Sequence, residues 1–223
     1  MNQSLYSFFR SVDGSLVNKI KKGLKRHSIQ KHGLSYLSEV TKALNEEGIL
    51  SFADFGTLLG IVREQGLLKH DLDIDVGVMI ASEADYRTIS SVMEKLHFVK
   101  SREFTIDGRV KEQSYFKKFI KVDLQYYTGD PEDSALMNCY LFYNPGRDPS
   151  ETRWKSVVKK CPRVKSVRSV AVQGHPIDVP DNAEDILVYK YGPNWKKPDK
   201  GWVYWEGPNT YPSDAIGDLN RMR

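Results

Sequence analysis

Three aspartates alternate with apolar residues through Asp71-Leu72-Asp73-Ile74-Asp75-Val76. On an extended strand, residues i and i+2 share a face with Cα atoms roughly 6.7 Å apart, so the carboxylates would stand in a row. Left bare, such a row repels itself and resists desolvation. A divalent cation resolves the conflict. Hard oxygen donors suit Mg²⁺, or alternatively Mn²⁺, held by carboxylates, water and substrate phosphates. Downstream, Phe119-Ile120-Lys121-Val122-Asp123-Leu124-Gln125 alternates again and offers Asp123 as a further carboxylate. Upstream, Gly56-Thr57 follows a short apolar run and opens a helical pattern, where backbone amides at a helix N-terminus can receive phosphate. An Asp-x-Asp pair by itself reads first as a strand edge with solvated acids. A glycine turn, an aspartate strand and a later aspartate strand together form the skeleton of metal-dependent nucleotidyl or phosphoryl transfer.

The block Phe55-Gly56-Thr57-Leu58-Leu59-Gly60-Ile61-Val62-Arg63, then Gly66, then His70 to Val78, resembles the signature of the LicD family. That family includes bacterial phosphocholine transferases and the fukutin and fukutin-related proteins. Gly174-His175-Pro176-Ile177-Asp178-Val179-Pro180, with Leu187, Tyr191-Gly192 and Trp195, resembles its C-terminal motif, so the match brackets about residues 34–200. Lys69 before His70 departs from relatives that carry a Pro-Trp-like pair there. The resemblance implies an α/β chain of the α+β type, with a nucleotidyltransferase-like mixed β-sheet flanked by helices. It also implies transfer of a phospho-alcohol (choline, ribitol or glycerol type) from a CDP-linked donor to a glycan or lipid-linked glycan acceptor, releasing CMP. Such a reaction belongs to cell-surface polysaccharide synthesis. Asp73, Asp75 and Asp123 would then be catalytic and metal-binding, with Asp71 a ligand or a supporting neighbour. Gly56 and Thr57 would grip phosphate oxygens, and Arg63 or His70 would neutralise developing charge. Arg63 pairing with Glu64 or Asp71, and His70 in a structural salt bridge, are alternatives.

The elements that must position these residues follow from periodicity. A basic helix is expected to end near Gly33, and a second to run from Leu34 to Glu47, with Leu34, Leu37, Val40 and Leu44 on one stripe. Strands are expected at 49–55, 71–78, two or three within 98–127 with a break at Asp107-Gly108, and 167–172. Helices are expected at 58–63, 82–96, 151–160 and from Pro180-Asp181-Asn182 to Tyr191. The stretch 129–149 reads as loop. Packing across the domain, or stacking on a sugar or base, is expected of the aromatic tail with Trp195, Trp202 and Trp205.

The 223 residues suit one domain, 34–223, preceded by a basic helical segment, 1–33. No apolar run is long enough to span a bilayer, and no secretory signal is visible, so a cytoplasmic location is expected. Cys139 and Cys161 are too few for a disulfide scaffold. The net charge of +4 conceals sorting along the chain. Residues 1–33 carry seven basic side chains against Asp13, residues 152–177 carry seven against none, and the remainder is −9. Nucleic acid is not expected as a partner, since the body is acidic and no stacking aromatics interleave the basic residues. Residues 10–31 could instead lie on an anionic membrane as a basic amphipathic helix, or pack on the domain as a plain solvated one. Two other functions fit the acids: transfer of NMP from an NTP to a small hydroxylated acceptor, and a non-catalytic glycan- or membrane-binding module.

Overall fold

The computed structural model describes residues 14–146 and 148–222, with side chains from Lys19 onward. Arg10 and Asp13, and the side chains of Leu16 and Val17, lie outside the described residues. The chain begins with α1 (Gly14–Glu46), one uninterrupted helix of 33 residues where two were expected. Gly33 does not end it. A Cβ at that position would lie 2.5 Å from Leu67 Cδ1, so the glycine is there for close packing rather than to stop the helix. Of the expected stripe, Leu37, Val40 and Leu44 are fully buried and Leu34 is buried at 6% exposure; Ile29, two turns before Leu37, is fully buried as well.

A short strand β1 (Ser51–Ala53) leads into α2 (Phe55–Glu64), and β2 (Asp73–Met79) carries two of the three acids. Next come α3 (Glu83–Lys95) and a meander of β3 (Val99–Ile106), β4 (Arg109–Lys117) and β5 (Ile120–Gly129). The region expected to be loop contains β6 (Leu136–Tyr143), and the expected helix at 151–160 is β7 (Arg153–Pro162). The hairpin β8 (Val167–Val172) and β9 (His175–Pro180) precedes α4 (Ala183–Tyr191), and β10 (Thr210–Arg221) closes the chain.

The expected helix-flanked mixed sheet is not what forms. Strands β5-β4-β3-β10-β7-β6 are hydrogen-bonded in that order, and β6 pairs back onto β5, so six antiparallel strands close into a barrel. The fold is mostly β. The expectation fails because the sequences of β6, β7 and β10 carry loop, helix and tail patterns rather than strand alternation. Closing the ring leaves these six strands no open edge, which an antiparallel sheet must otherwise protect. Only β2 and β1 extend beyond it, β2 running parallel to β5.

The faces divide as the alternation demands. Ile74, Val76 and Val78 of β2, with Ile120, Val122 and Leu124 of β5, are fully buried in the core shared with α1 and α3. Their alternates turn the other way, toward the mouth of the barrel. Inside, Phe104 stacks on Phe142 with centroids 4.4 Å apart, and Gly217 of β10 leaves the room that ring needs, since a Cβ there would fall 2.3 Å from it.

Candidate active site

The acids meet because β2 and β5 are parallel and in register. Asp75 pairs with Asp123 and Asp73 with Lys121. Asp71 lies just before β2, and Gly56 closes the group from above: a Cβ on it would lie 3.5 Å from Asp71 Oδ2 and 3.6 Å from Asp75 Oδ2. The first turn of α2 therefore rests directly on two carboxylates, where unpaired helix amides favour negative charge. Thr57 is fully buried, and its hydroxyl accepts the Asp75 N–H at 2.9 Å, tying α2 to β2. Its place is behind the acids rather than facing the opening.

Two lines of charge cross the site. Lys121 donates to Asp73 Oδ2 at 2.9 Å and to Asp123 Oδ2 at 2.6 Å. Burial lowers the proton affinity of that ammonium, but Asp123 and Asp73 outweigh it and hold the group above the ordinary lysine range. Ser114 donates to Asp123 Oδ1 at 2.6 Å, Arg102 Nε donates to Ser114 Oγ, and Arg102 pairs with Glu112 at 3.2 Å. Asp75, by contrast, makes no hydrogen bond or ion pair through its carboxyl group among the described residues. Burial first, then Asp73 and Asp123, push it well above the usual carboxylate range. Burial likewise raises Asp71 to about 6, against a lowering by His70, whose exposed ring lies 3.8 Å away. Arg63 is mostly buried, donates to Glu64 at 2.9 Å and to the Trp195 carbonyl at 3.3 Å, and leaves its Nε without a partner.

A cleft of about 1120 Å³ opens from these acids into the barrel mouth. Gly56, Asp71, Asp73, Asp75 and Asp123 form its acidic end; Phe104, Phe142 and Trp154 form an aromatic end; Lys197, Lys200, Trp202 and Tyr204 bound it from the tail. The tail packs across the domain, as one of the two expected roles requires, and also turns aromatic side chains to the cleft. Trp195 is buried and Trp205 stacks on Tyr143 at 5.3 Å, while Trp202 and Tyr204 face the cleft.

The donor set suits a hard divalent cation: four carboxylates, one of them partnerless and crowded by like charge. It is not a preformed cage, since among the described residues no three His, Cys, Asp or Glu side chains converge as a metal site. Lys121 instead neutralises two of the acids. Sequence reasoning missed Lys121, although its position two residues before Asp123 places both on one face. It also missed Glu112, Arg102 and the fully buried pair of Lys190 with Asp54, which only the tertiary fold brings to the cleft.

The family model described as LicD/FKTN/FKRP, nucleotidyltransferase domain, matches residues 48–180. The uncharacterized protein RP689 of Rickettsia prowazekii (strain Madrid E) is 33% identical over 67 residues, which is 30% of this chain and 25% of that protein. The chain therefore matches about a quarter of that relative's length. A solved structure of ANT(2")-Ia in complex with adenylyl-2"-tobramycin is similar at a TM-score of 0.41 and 14% identity, over 77% of this chain and 81% of that one. No helix among the described residues is long and apolar enough to cross a membrane. The family match spans more than half of the chain and contains Gly56, Thr57, Arg63, His70 and all four acids: this chain belongs to the LicD/FKTN/FKRP nucleotidyltransferase-domain family.

Proposed function

We propose that the protein transfers a phospho-alcohol from a CDP-linked donor to a glycan hydroxyl, with release of CMP. The observation that carries this reading is the crowded, partnerless Asp75 carboxyl group beneath the first turn of α2, at one end of a cleft large enough for a nucleotide conjugate. Asp73 and Asp75, with Asp123, would hold Mg²⁺, with Asp71 beside them as a supporting neighbour rather than a ligand. Bound there, the ion would neutralise charge on the donor pyrophosphate.

The chain's own groups divide the remaining work. The N–H groups of the first turn of α2, at Gly56, donate to a phosphate oxygen. Trp202 and Tyr204 offer flat surfaces to the cytosine or the sugar. The acceptor oxygen attacks the phosphorus that bears the alcohol; that bond forms as the bond to the CMP oxygen breaks. Asp71, raised to about 6, suits acceptance of the hydroxyl proton better than Asp123, whose two oxygens are already engaged by Ser114 and Lys121.

The test is CMP release from CDP-choline, CDP-ribitol and CDP-glycerol with Mg²⁺ and a glycan acceptor. Asp73→Asn and Asp75→Asn are expected to lower turnover by about a thousandfold or more, as losses of charge-stabilising groups do, with circular dichroism unchanged. Turnover near wild type in either variant sinks the reading. Pyrophosphate release from an NTP, with no CMP from any CDP compound, replaces it with nucleotidyl transfer.

A further inference from the structure

From Lys19 to Leu24 the described side chains of α1 are all exposed. Lys19, Lys21, Lys22, Arg26 and His27 are exposed, and so are Ile20 at 40% and Leu24 at 56%. Ile20 and Leu24 lie one turn apart and share a face. Further along the helix the face holding Ile29, Leu37, Val40 and Leu44 enters the core. At about 100° per residue, that buried stripe continues backward onto Lys22 and Arg26, so Ile20 and Leu24 point roughly 160° away from it. They are not the frayed end of the core stripe. Between Gly14 and Ser38 the sequence has six lysines and arginines and no acid.

A second exposed apolar point belongs to the same end of the molecule. The turn between β4 and β5 presents Phe119, 65% exposed, next to the exposed Lys118, and Val99, 70% exposed, pairs with Phe116 beside it. Lys25 of α1 lies 5.8 Å from the Phe116 ring, and Lys117 is bonded to Glu39 of α1. Phe119 is two residues from Lys121, so the turn and the acid site share one end of β5.

We propose that the basic half of α1 and the Phe119 turn form a docking surface for an anionic lipid bilayer. Apolar side chains ringed by lysines match a bilayer interface, where the side chains enter the acyl boundary and the lysines meet the headgroups. Nucleic acid would use the lysines and leave Ile20, Leu24 and Phe119 without a role. A second copy would set one acid-free basic helix against another. Docking itself does not depend on the proposed reaction. Its consequence does: with that reaction, the surface selects a lipid-linked acceptor.

The experiment is co-sedimentation of the full chain with phosphatidylcholine–phosphatidylglycerol vesicles and with pure phosphatidylcholine vesicles. Wild type should sediment with the former only. The paired variant Ile20→Ser/Leu24→Ser, the single variant Phe119→Ser and the paired variant Lys21→Gln/Lys22→Gln should each weaken binding by about tenfold or more, with circular dichroism unchanged. Absence of vesicle binding overturns the proposal, as does binding that survives loss of the three apolar residues. It is equally overturned by a dimer in light scattering that Ile20→Ser/Leu24→Ser dissociates, or by duplex nucleic acid displacing the vesicles. No turnover enters the readout, so failure of the proposed reaction leaves the result interpretable.

Discussion

Asp75 has acidic neighbours that oppose its charge and no group that pairs with it, while Asp73 and Asp123 share the ammonium of Lys121. The contrast makes Lys121 an internal counter-ion for part of the site. It leaves Asp71 and Asp75 as the acids whose charge still needs a partner. A pH dependence follows. Asp75 is raised well above its ordinary range, Asp71 to about 6 and Glu112 to about 7, burial being the largest cause in each. For acids raised on folding, the stabilising contribution is full below the unfolded values and is lost as pH rises through the folded ones. Cation-free protein should therefore lose thermal stability between about pH 5 and about pH 7.5, and Asp75→Asn should flatten that slope and be the more stable protein at the upper end. Thermal denaturation at both pH values decides it. A wild-type Tm that climbs across the interval, or an Asp75→Asn protein less stable at the upper pH, contradicts the crowding described for this site.

At the scale of an element, α2 is held from beneath its first turn. Asp54 accepts the Phe55 N–H at 2.8 Å and the Tyr127 hydroxyl at 2.7 Å, and it is paired with Lys190 of α4, all three side chains being essentially without solvent contact. Phe55 itself has a φ of +40°, a costly value for a side chain with a Cβ, and its ring lies 3.8 Å from the Lys190 ammonium. That buried cluster fixes the turn on which Gly56 meets Asp71 and Asp75. Lys190→Met should cost about 3 to 5 kcal/mol by stranding the Asp54 carboxylate. The double variant Asp54→Asn/Lys190→Met should recover much of that loss, because no unpaired charge remains. Denaturant unfolding of Lys190→Met, Asp54→Asn and the double variant measures the coupling; equal losses in Lys190→Met and the double variant would show that Lys190 acts through packing alone. None of this was legible in the sequence. Asp54 adjoins the recognised block and Lys190 ends an ordinary helix, 136 residues further on. The acid row was legible because it depends on a two-residue period within one strand, whereas the support beneath it depends on where two distant elements cross.

Across the whole molecule the least legible feature is barrel closure, and the last strand performs it. β10 pairs with β3 over Asp218–Arg221 and with β7 over Thr210–Asp218, joining residues more than 100 positions apart to a neighbour some 50 away. Its sequence hides this. Tyr211-Pro212-Ser213-Asp214-Ala215 has a proline, no apolar alternation and an irregularity between Ser213 and Ile216, so it reads as tail. β7 is hidden for a different reason: Lys159 takes an inward position on it, and alternation fails where a charge is buried. That lysine, lowered to about 8 by burial and then by Lys190, donates to the carbonyls of Lys190 and Pro208 and to Thr210 Oγ1, so it fastens β7 to the entrance of β10. Ending the chain at Asn209 would remove Thr210, expose β3 and β7 as long unpaired edges and uncover the Phe104–Phe142 stack. The truncated protein should lose cooperative thermal unfolding and associate in size-exclusion chromatography, although every residue of the family match is retained. A monomeric truncation with a sharp transition would mean that the five remaining barrel strands hold the cleft without closure. The expected collapse would instead make the acid site a property of the closed ring, since Asp123 lies on β5, beside β4, and β4 is braced only by β3 on its other side.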